Sequence, residues 1–338
     1  MKRIAVLLMC LLLLSGCAGT MPAEPAEDGK LNIVATVFPA YDFARSVSGG
    51  VANVTLLLPP GMESHSYEPT PADILAVQNC DLFIYLGGES DAWVDTIVSA
   101  IEVKGEVLRM VDCVDLLEET HVEGMQMSPG HDHEGHSHGE DELCEEETEH
   151  HHEEPAHTLG AVTGMDEHVW TSPANAAAVT LEIGRHMAEL DESNGDLYLR
   201  NAETYAEQIM QLDGEFEALF AAQPHRTVIF GDRFPLLYFA DRYGLDYYAA
   251  FPGCGTQTEP SAATIAFLTE KVRAEGLPTV WYIEFSNHLV ADSIAEATGT
   301  TTAMFHTCHN VTRAEMDSGA TYLSLMEGNL QTLREHLN

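Results

Sequence analysis

Positive charge is what this sequence lacks most. Its 338 residues carry 15 Lys and Arg against 54 Asp and Glu, a formal charge of −39. Such a surface repels phosphate backbones and attracts cations, which excludes nucleic acid as a partner. The deficit is sharpest mid-chain, where no Lys or Arg occurs between Arg109 and Arg185. Long apolar runs are missing as well. The N-terminal stretch Ile4–Leu14 is too short for a mature spanning helix, which takes about 20 apolar residues. No His-Glu-x-x-His helix or other hydrolase motif is present, so no enzymatic activity is expected. No internal repeat is clear enough to use.

Histidine fills the gap that the basic residues leave. Between Gly130 and His157 stand His131, His133, His136 and His138, then His150, His151 and His152, all among carboxylates. Neutral imidazole is the commonest protein ligand for zinc-like metals, and nearby carboxylates add oxygen donors. With almost no aliphatic residues the segment has nothing to bury. It reads as a disordered, metal-collecting loop inside a folded chain, and it points to transition-metal handling. Cys144, within it, would be a free thiol or a soft ligand.

The N-terminus says where the metal is met. Met1-Lys2-Arg3 is basic, Ile4–Leu14 is apolar, and Leu14-Ser15-Gly16-Cys17 has the form of a bacterial lipobox. Residues 1–16 are then a lipoprotein signal peptide, with Cys17 as the lipidation site. Residues 17–30, small and polar with Pro, form a flexible tether. The expected location is the extracytoplasmic face of the bacterial membrane, held by a lipid anchor. Of the cysteines left in that oxidising setting, Cys254 and Cys308 lie at the ends of C-terminal elements and are the preferred disulfide. Cys80 with Cys113 is the second choice.

Short β-branched and aromatic runs alternate with helical patterns, which predicts an α/β protein with mainly parallel sheets. Strands are expected at Leu31–Val37, Val54–Leu58, Asp81–Leu86 and Val107–Val111, then at Thr227–Phe230, Asp246–Phe251, Thr279–Glu284 and Thr301–Phe305. Helices are expected at Ala40–Ser48, Thr70–Asn79 and Ala92–Ala100, and later at Pro260–Glu275, His288–Thr298 and Thr321–Leu337. Two βα lobes follow: an N-terminal one over 31–195, which contains the disordered loop at 119–160, and a C-terminal one over 223–338. Between them, at 196–222, Tyr198, Ala202, Tyr205, Ile209, Leu212, Phe216 and Leu219 form one apolar stripe. This linking helix is either a strut along both lobes or an ordinary amphipathic helix on one.

Two motifs carry histidine outside the loop. Pro59-Pro-Gly-Met-Glu-Ser-His65-Ser-Tyr-Glu-Pro-Thr70 follows a strand, where open α/β sheets place their ligands. Asp166-Glu-His168-Val-Trp170-Thr-Ser-Pro173 places a carboxylate beside a histidine. There Trp170 looks like packing, and Pro173 opens a helix. Together the two segments resemble the N-lobe signatures of the metal-binding solute-binding lipoproteins of ABC transporters, the zinc/manganese cluster. The lipobox, linking helix and acidic His-rich loop resemble its zinc-uptake branch.

That resemblance implies a metal site in the interlobe cleft, with His65 and His168 as N-lobe ligands. The C-lobe departs from the family pattern. After its first strand the family places a His or Glu, but here the run is Gly231-Asp232-Arg233, so Asp232 is either a ligand or a helix cap paired with Arg233. After the last strand stand His306 and His309, of which His306 lies nearer the expected position. Glu284 and His309 are held in reserve. Glu259 and Ser261 are expected to cap a helix, and His186, His225, His288 and His336 to be solvated or packed. A nitrogen-rich site suits Zn2+ as transported ligand, delivered to a membrane permease by a monomer. A manganese- or iron-binding member of the family, a surface adhesin and a secreted zinc hydrolase are the alternatives.

Overall fold

The structure, a computed structural model, describes residues 29–64, 67–125, 164–223, 226–253 and 259–337. The signal peptide, Cys17, His65, the His-rich loop, Cys144, His225 and Cys254 lie outside the described residues. Among the described residues, no helix is long and apolar enough to cross a membrane.

Four strands, β1 (Asn32–Ala35), β2 (Asn53–Leu56), β3 (Leu82–Tyr85) and β4 (Glu106–Arg109), pair in parallel in the order β2-β1-β3-β4. The second lobe repeats the pattern with β5 (Thr227–Phe234), β6 (Asp246–Pro252), β7 (Thr279–Ile283) and β8 (Thr301–Phe305) in the order β6-β5-β7-β8. Central strands such as β3 are buried along their whole length, as sheets covered on both faces require. In each sheet the order reverses beside the first strand, and such crevices at the strands' C-terminal ends are where α/β folds bind ligands.

Local chemistry sets the helix starts. In α1 (Phe38–Ser48) a proline occupies the first turn, and Gly49 ends the helix at φ 55°. In α2 (Pro71–Asn79), Thr70 and Asp73 form a reciprocal capping box. After α3 (Ala92–Ala100), Ser172 caps α4 (Pro173–Leu190) through the Asn175 N–H, and Pro173 opens it. α5 (Gly195–Ala221) is the long linking helix. At about 1.5 Å per residue it spans some 40 Å.

Its bonds settle the choice between strut and single-lobe helix. Near its start, Asn201 donates to the Val47 carbonyl (2.9 Å) and Tyr205 to Asp42 of α1 (2.6 Å). Toward its end, Asp213 accepts from the Arg242 guanidinium and the Tyr243 hydroxyl, both of α6 (Leu237–Tyr243) in the second lobe. The helix is a strut. Its stripe residues Tyr198, Ala202, Tyr205, Ile209, Leu212 and Phe216 are buried, with Leu219 half-buried.

On the outer face of the second sheet, α7 (Ala262–Glu275) and α8 (Leu289–Thr298) bury Leu268, Val272, Ile294 and Ala295. Ser261 caps α7 as expected, accepting from the Thr264 N–H at 3.1 Å. The short α9 (Arg313–Ser318) and α10 (Tyr322–His336) close the chain, each with its own capping box. Tyr322 ties this end back to the first lobe, its hydroxyl donating to the Trp170 carbonyl (2.8 Å) and its N–H to Asp42 (2.8 Å).

Candidate metal centre

A cavity of about 50 Å³ lies between the lobes at the C-terminal ends of β2, β5, β7 and β8. One water needs roughly 10–15 Å³. The space is enough for an ion with a water or two. Its wall includes Glu63, Ser64, His168, Arg233, Glu284 and His309.

His168 is built in from the first lobe. It is 1% exposed, follows the loop returning to Asp166 and precedes the short 3-10 turn Val169–Thr171. Asp166 accepts twice from it, from the backbone N–H (2.8 Å) and at ring Nδ1 (3.1 Å). A carboxylate at Nδ1 takes the ring proton and leaves Nε2 with its lone pair, the arrangement common to metal-binding imidazoles. Burial by itself would lower the His168 pKa. Asp166, helped by Glu167 and Glu119, more than offsets this and raises it. Tyr238 of the second lobe fixes the loop by donating to the Asp166 carbonyl (2.7 Å). Gly253 packs its backbone against the ring, where a Cβ would stand 3.4 Å from Cε1.

The second lobe presents His309. Its ring centroid lies 5.8 Å from that of His168 and 5.2 Å from that of Trp170. The turn carrying it is stitched from both sides. Trp170 Nε1 donates to the Thr307 carbonyl (2.8 Å), and Asn310 Nδ2 donates to the Pro59 and Met62 carbonyls (2.8 Å each). Trp170 is fully buried, as its expected packing role requires. Glu284 anchors the same turn, accepting the Thr307 N–H (2.7 Å) and hydroxyl, while Thr307 Oγ1 accepts the His309 N–H (3.3 Å).

Two expected donors stand elsewhere. His306 is buried but does not line the cavity. Its Nδ1 accepts the Cys308 N–H (2.9 Å), and its Nε2 lies 3.8 Å from Glu315 of α9. The chain turns sharply after it, with Cys308 at φ 63°, and this reversal brings His309 to the cavity instead. Asp232 is neither a cavity-wall donor nor a helix cap. It belongs to β5, which runs four residues past its expected end through a bulge between Phe230 and Arg233. Gly231, within the bulge, lets α8 approach the strand, since a Cβ there would meet Ala291 of α8 at under 3 Å. Each Asp232 oxygen accepts from backbone, one from the Arg233 N–H (2.8 Å) and one from the Ile283 N–H (3.4 Å). Its partner in Arg233 is thus the amide. The guanidinium turns to Glu63 across the cleft, a contact that neither motif suggested.

The cysteine pairing also differs from expectation. Cys308 is a free, fully buried thiol that faces the His306 carbonyl, and Cys80 and Cys113 are free as well. The strands leading to Cys254 and Cys308 are the two outer strands of their sheet, β6 and β8. Two strands, β5 and β7, stand between these, so the sheet order does not bring the two strand ends side by side. Burial pushes the Cys80 and Cys113 thiols up to about 12 and the Cys308 thiol well above its ordinary value, so all three stay protonated. The remaining histidines are solvated or packed: His186 bonds Glu106 (2.7 Å), His288 bonds Asp292 (2.8 Å), and His336 lies near Trp281.

Among the described residues, no three of His, Cys, Asp and Glu converge as a ready ligand set. The cavity shows two histidines and two carboxylates, Glu63 and Glu284, and its wall is continuous with Ser64, next in sequence to His65.

Comparison with known proteins places this architecture. The chain is 31% identical over 339 residues to the zinc-binding lipoprotein AdcA of Streptococcus pneumoniae, covering 99% of this chain and 61% of that protein. It thus spans under two thirds of that relative's length. To the high-affinity zinc uptake system protein ZnuA of Bacillus subtilis it is 28% identical, over 98% of this chain and 96% of the relative. The zinc-bound ZnuA-like domain of S. pneumoniae AdcA superposes with a TM-score of 0.69 at 25% identity, covering 91% of this chain and 99% of that domain. The family described as zinc-uptake complex component A, periplasmic, matches residues 33–336, and this chain belongs to it.

Proposed function

We propose that the protein is the extracytoplasmic solute-binding component of a zinc-uptake system. It captures Zn2+ between its lobes and hands it to an ABC-transporter permease. The observation that carries this is the pairing of His168 and His309 on one small interlobe cavity, with the His168 ring proton directed to Asp166.

In this reading His168 supplies Nε2, His309 a ring nitrogen, and His65 a third imidazole from the loop after β2. Glu284 supplies an oxygen or holds the His309 turn through Thr307. Three imidazoles and one carboxylate suit a tetrahedral zinc ion, whereas manganese asks for more oxygens. The His-rich loop, by its composition, gathers zinc weakly and raises its concentration near the cleft. Lipidation at Cys17 keeps the protein beside the permease.

Zinc titration by calorimetry tests this on the protein lacking Glu123–His157. One tight zinc per chain, lost in His168→Ala, is the expected result. Loss of all tight binding with the loop alone would move the function to the loop.

A further inference from the structure

One ion pair crosses the cavity wall and involves neither histidine. Glu63, in the turn after β2, accepts from the Arg233 guanidinium at the end of β5, at 3.0 Å from Nη2 and 3.5 Å from Nη1. Both side chains line the cavity with His168, His309 and Glu284. Arg233 is mostly covered, at 15% exposure, while Glu63 is 44% exposed at the rim. Two features make the pair more than a surface contact. Arg233 is the one Lys or Arg among the cavity-lining residues. Its backbone is pinned separately by Asp232, so the side chain alone decides where that charge sits.

A guanidinium loose in this space would face a dication in a partly desolvated setting, where like charges repel far more than in water. Glu63 neutralises it, holds it to the wall and joins the two lobes at the cavity itself.

We propose that the Glu63–Arg233 pair is a latch that sets how long a captured zinc ion stays, with Glu63 acting as the positioning residue for Arg233. This rests on the reading that the cavity takes zinc. Opening the lobes separates the pair, so the latch resists release and hardly affects capture. It also accounts for an arginine in a cation site, where a bare positive charge would oppose binding. Removing Glu63 alone is therefore worse than removing both partners, because it strands the cation beside the metal.

The test follows zinc dissociation from the full chain in detergent, by stopped flow into excess chromogenic chelator. The proteins are wild type, Glu63→Gln, Arg233→Gln, the double variant, and the swap Glu63→Arg with Arg233→Glu. An exchange of this kind across a partly exposed pair is expected to change rates by about 3- to 10-fold. Glu63→Gln should release zinc fastest, the double variant should be slower than it, and the swap should recover most of the wild-type rate. Raising NaCl from 0.05 to 0.5 M should speed release from wild type and leave the double variant unchanged. Equal rates in wild type and Glu63→Gln, with one zinc still bound, overturn the latch. So does a Glu63→Gln defect that the double variant and swap fail to relieve, which marks a merely structural role. If His168→Ala keeps the full zinc stoichiometry and rate of wild type, the cavity reading itself is what has failed.

Discussion

The two lobes present polar side chains to the same crevice, and His168 and Asp232 show how differently such groups are used. Both are buried, at 1% and 9% exposure, and both stand at the C-terminal side of their lobe's sheet. His168 gives one ring nitrogen to Asp166 and keeps the other. Asp232 accepts a backbone amide on each oxygen, from Arg233 and Ile283, and does not line the cavity. His309 and His306 repeat the contrast three residues apart. His306 Nδ1 closes a turn onto the Cys308 amide, while the His309 ring stands on the cavity wall. A donor near a site is therefore a ligand candidate only if the fold brings its side chain to the cavity wall.

The largest expected effect separates the two neighbouring histidines. His309→Ala should weaken zinc binding by about 100-fold or more, whereas His306→Ala should retain it within about threefold, on the usual cost of losing one metal ligand against none. Competitive titration against a fluorescent chelator reads both. A similar loss in each would erase the distinction.

A pH series extends the comparison to His168. Protonated imidazole cannot ligate, so affinity should fall by up to about tenfold per pH unit for each proton displaced. Because Asp166 raises the His168 pKa, competition should begin above the ordinary imidazole range. Asp166 is the largest of the carboxylate contributions that raise that pKa, so Asp166→Asn should move the onset to lower pH. An onset unmoved by that substitution would contradict the pairing.

Asp232→Ala should act on folding instead. It strands two buried amides, at a cost of about 1–3 kcal/mol. Chemical denaturation should show that cost while zinc stoichiometry stays at wild type. Loss of zinc from the folded variant would return Asp232 to the ligand set.

Asp91 offers a smaller test, outside the cavity wall. Burial first, and the Glu167 charge second, push its carboxyl up to about 7, and its Oδ1 has no hydrogen-bond partner. A carboxyl raised in the folded state binds its proton more tightly there than when unfolded. Its stabilising share is present at low pH and is lost as pH rises from about 4 toward 7. Asp91→Asn should gain stability over wild type across that window, by up to about 4 kcal/mol, and level off above it. A difference constant with pH would show that Asp91 does not carry that proton.

Much of this was readable in the sequence, and the failures have physical causes. β8 runs over Thr301–Phe305 as expected, because its β-branched run ends where a turn begins. β5 was underestimated because the bulge at Gly231 interrupts its pattern without ending its pairing. The stripe on α5 gave the buried face, but not that its two ends bond different lobes. In the cavity, Asp166-Glu167-His168 was legible because ligand and orienting carboxylate are two residues apart. The choice of His309 over His306 was not, since it depends on a left-handed residue between them. The Glu63–Arg233 contact spans 170 residues, and no local pattern announces such a pairing.

The most direct test is a crystal structure of the zinc-loaded protein with data collected across the zinc absorption edge. A single anomalous peak in the interlobe cavity is predicted, about 2.0–2.1 Å from His168 Nε2 and from a His309 ring nitrogen. A peak at His306 or Asp232, or none between the lobes, would contradict the account.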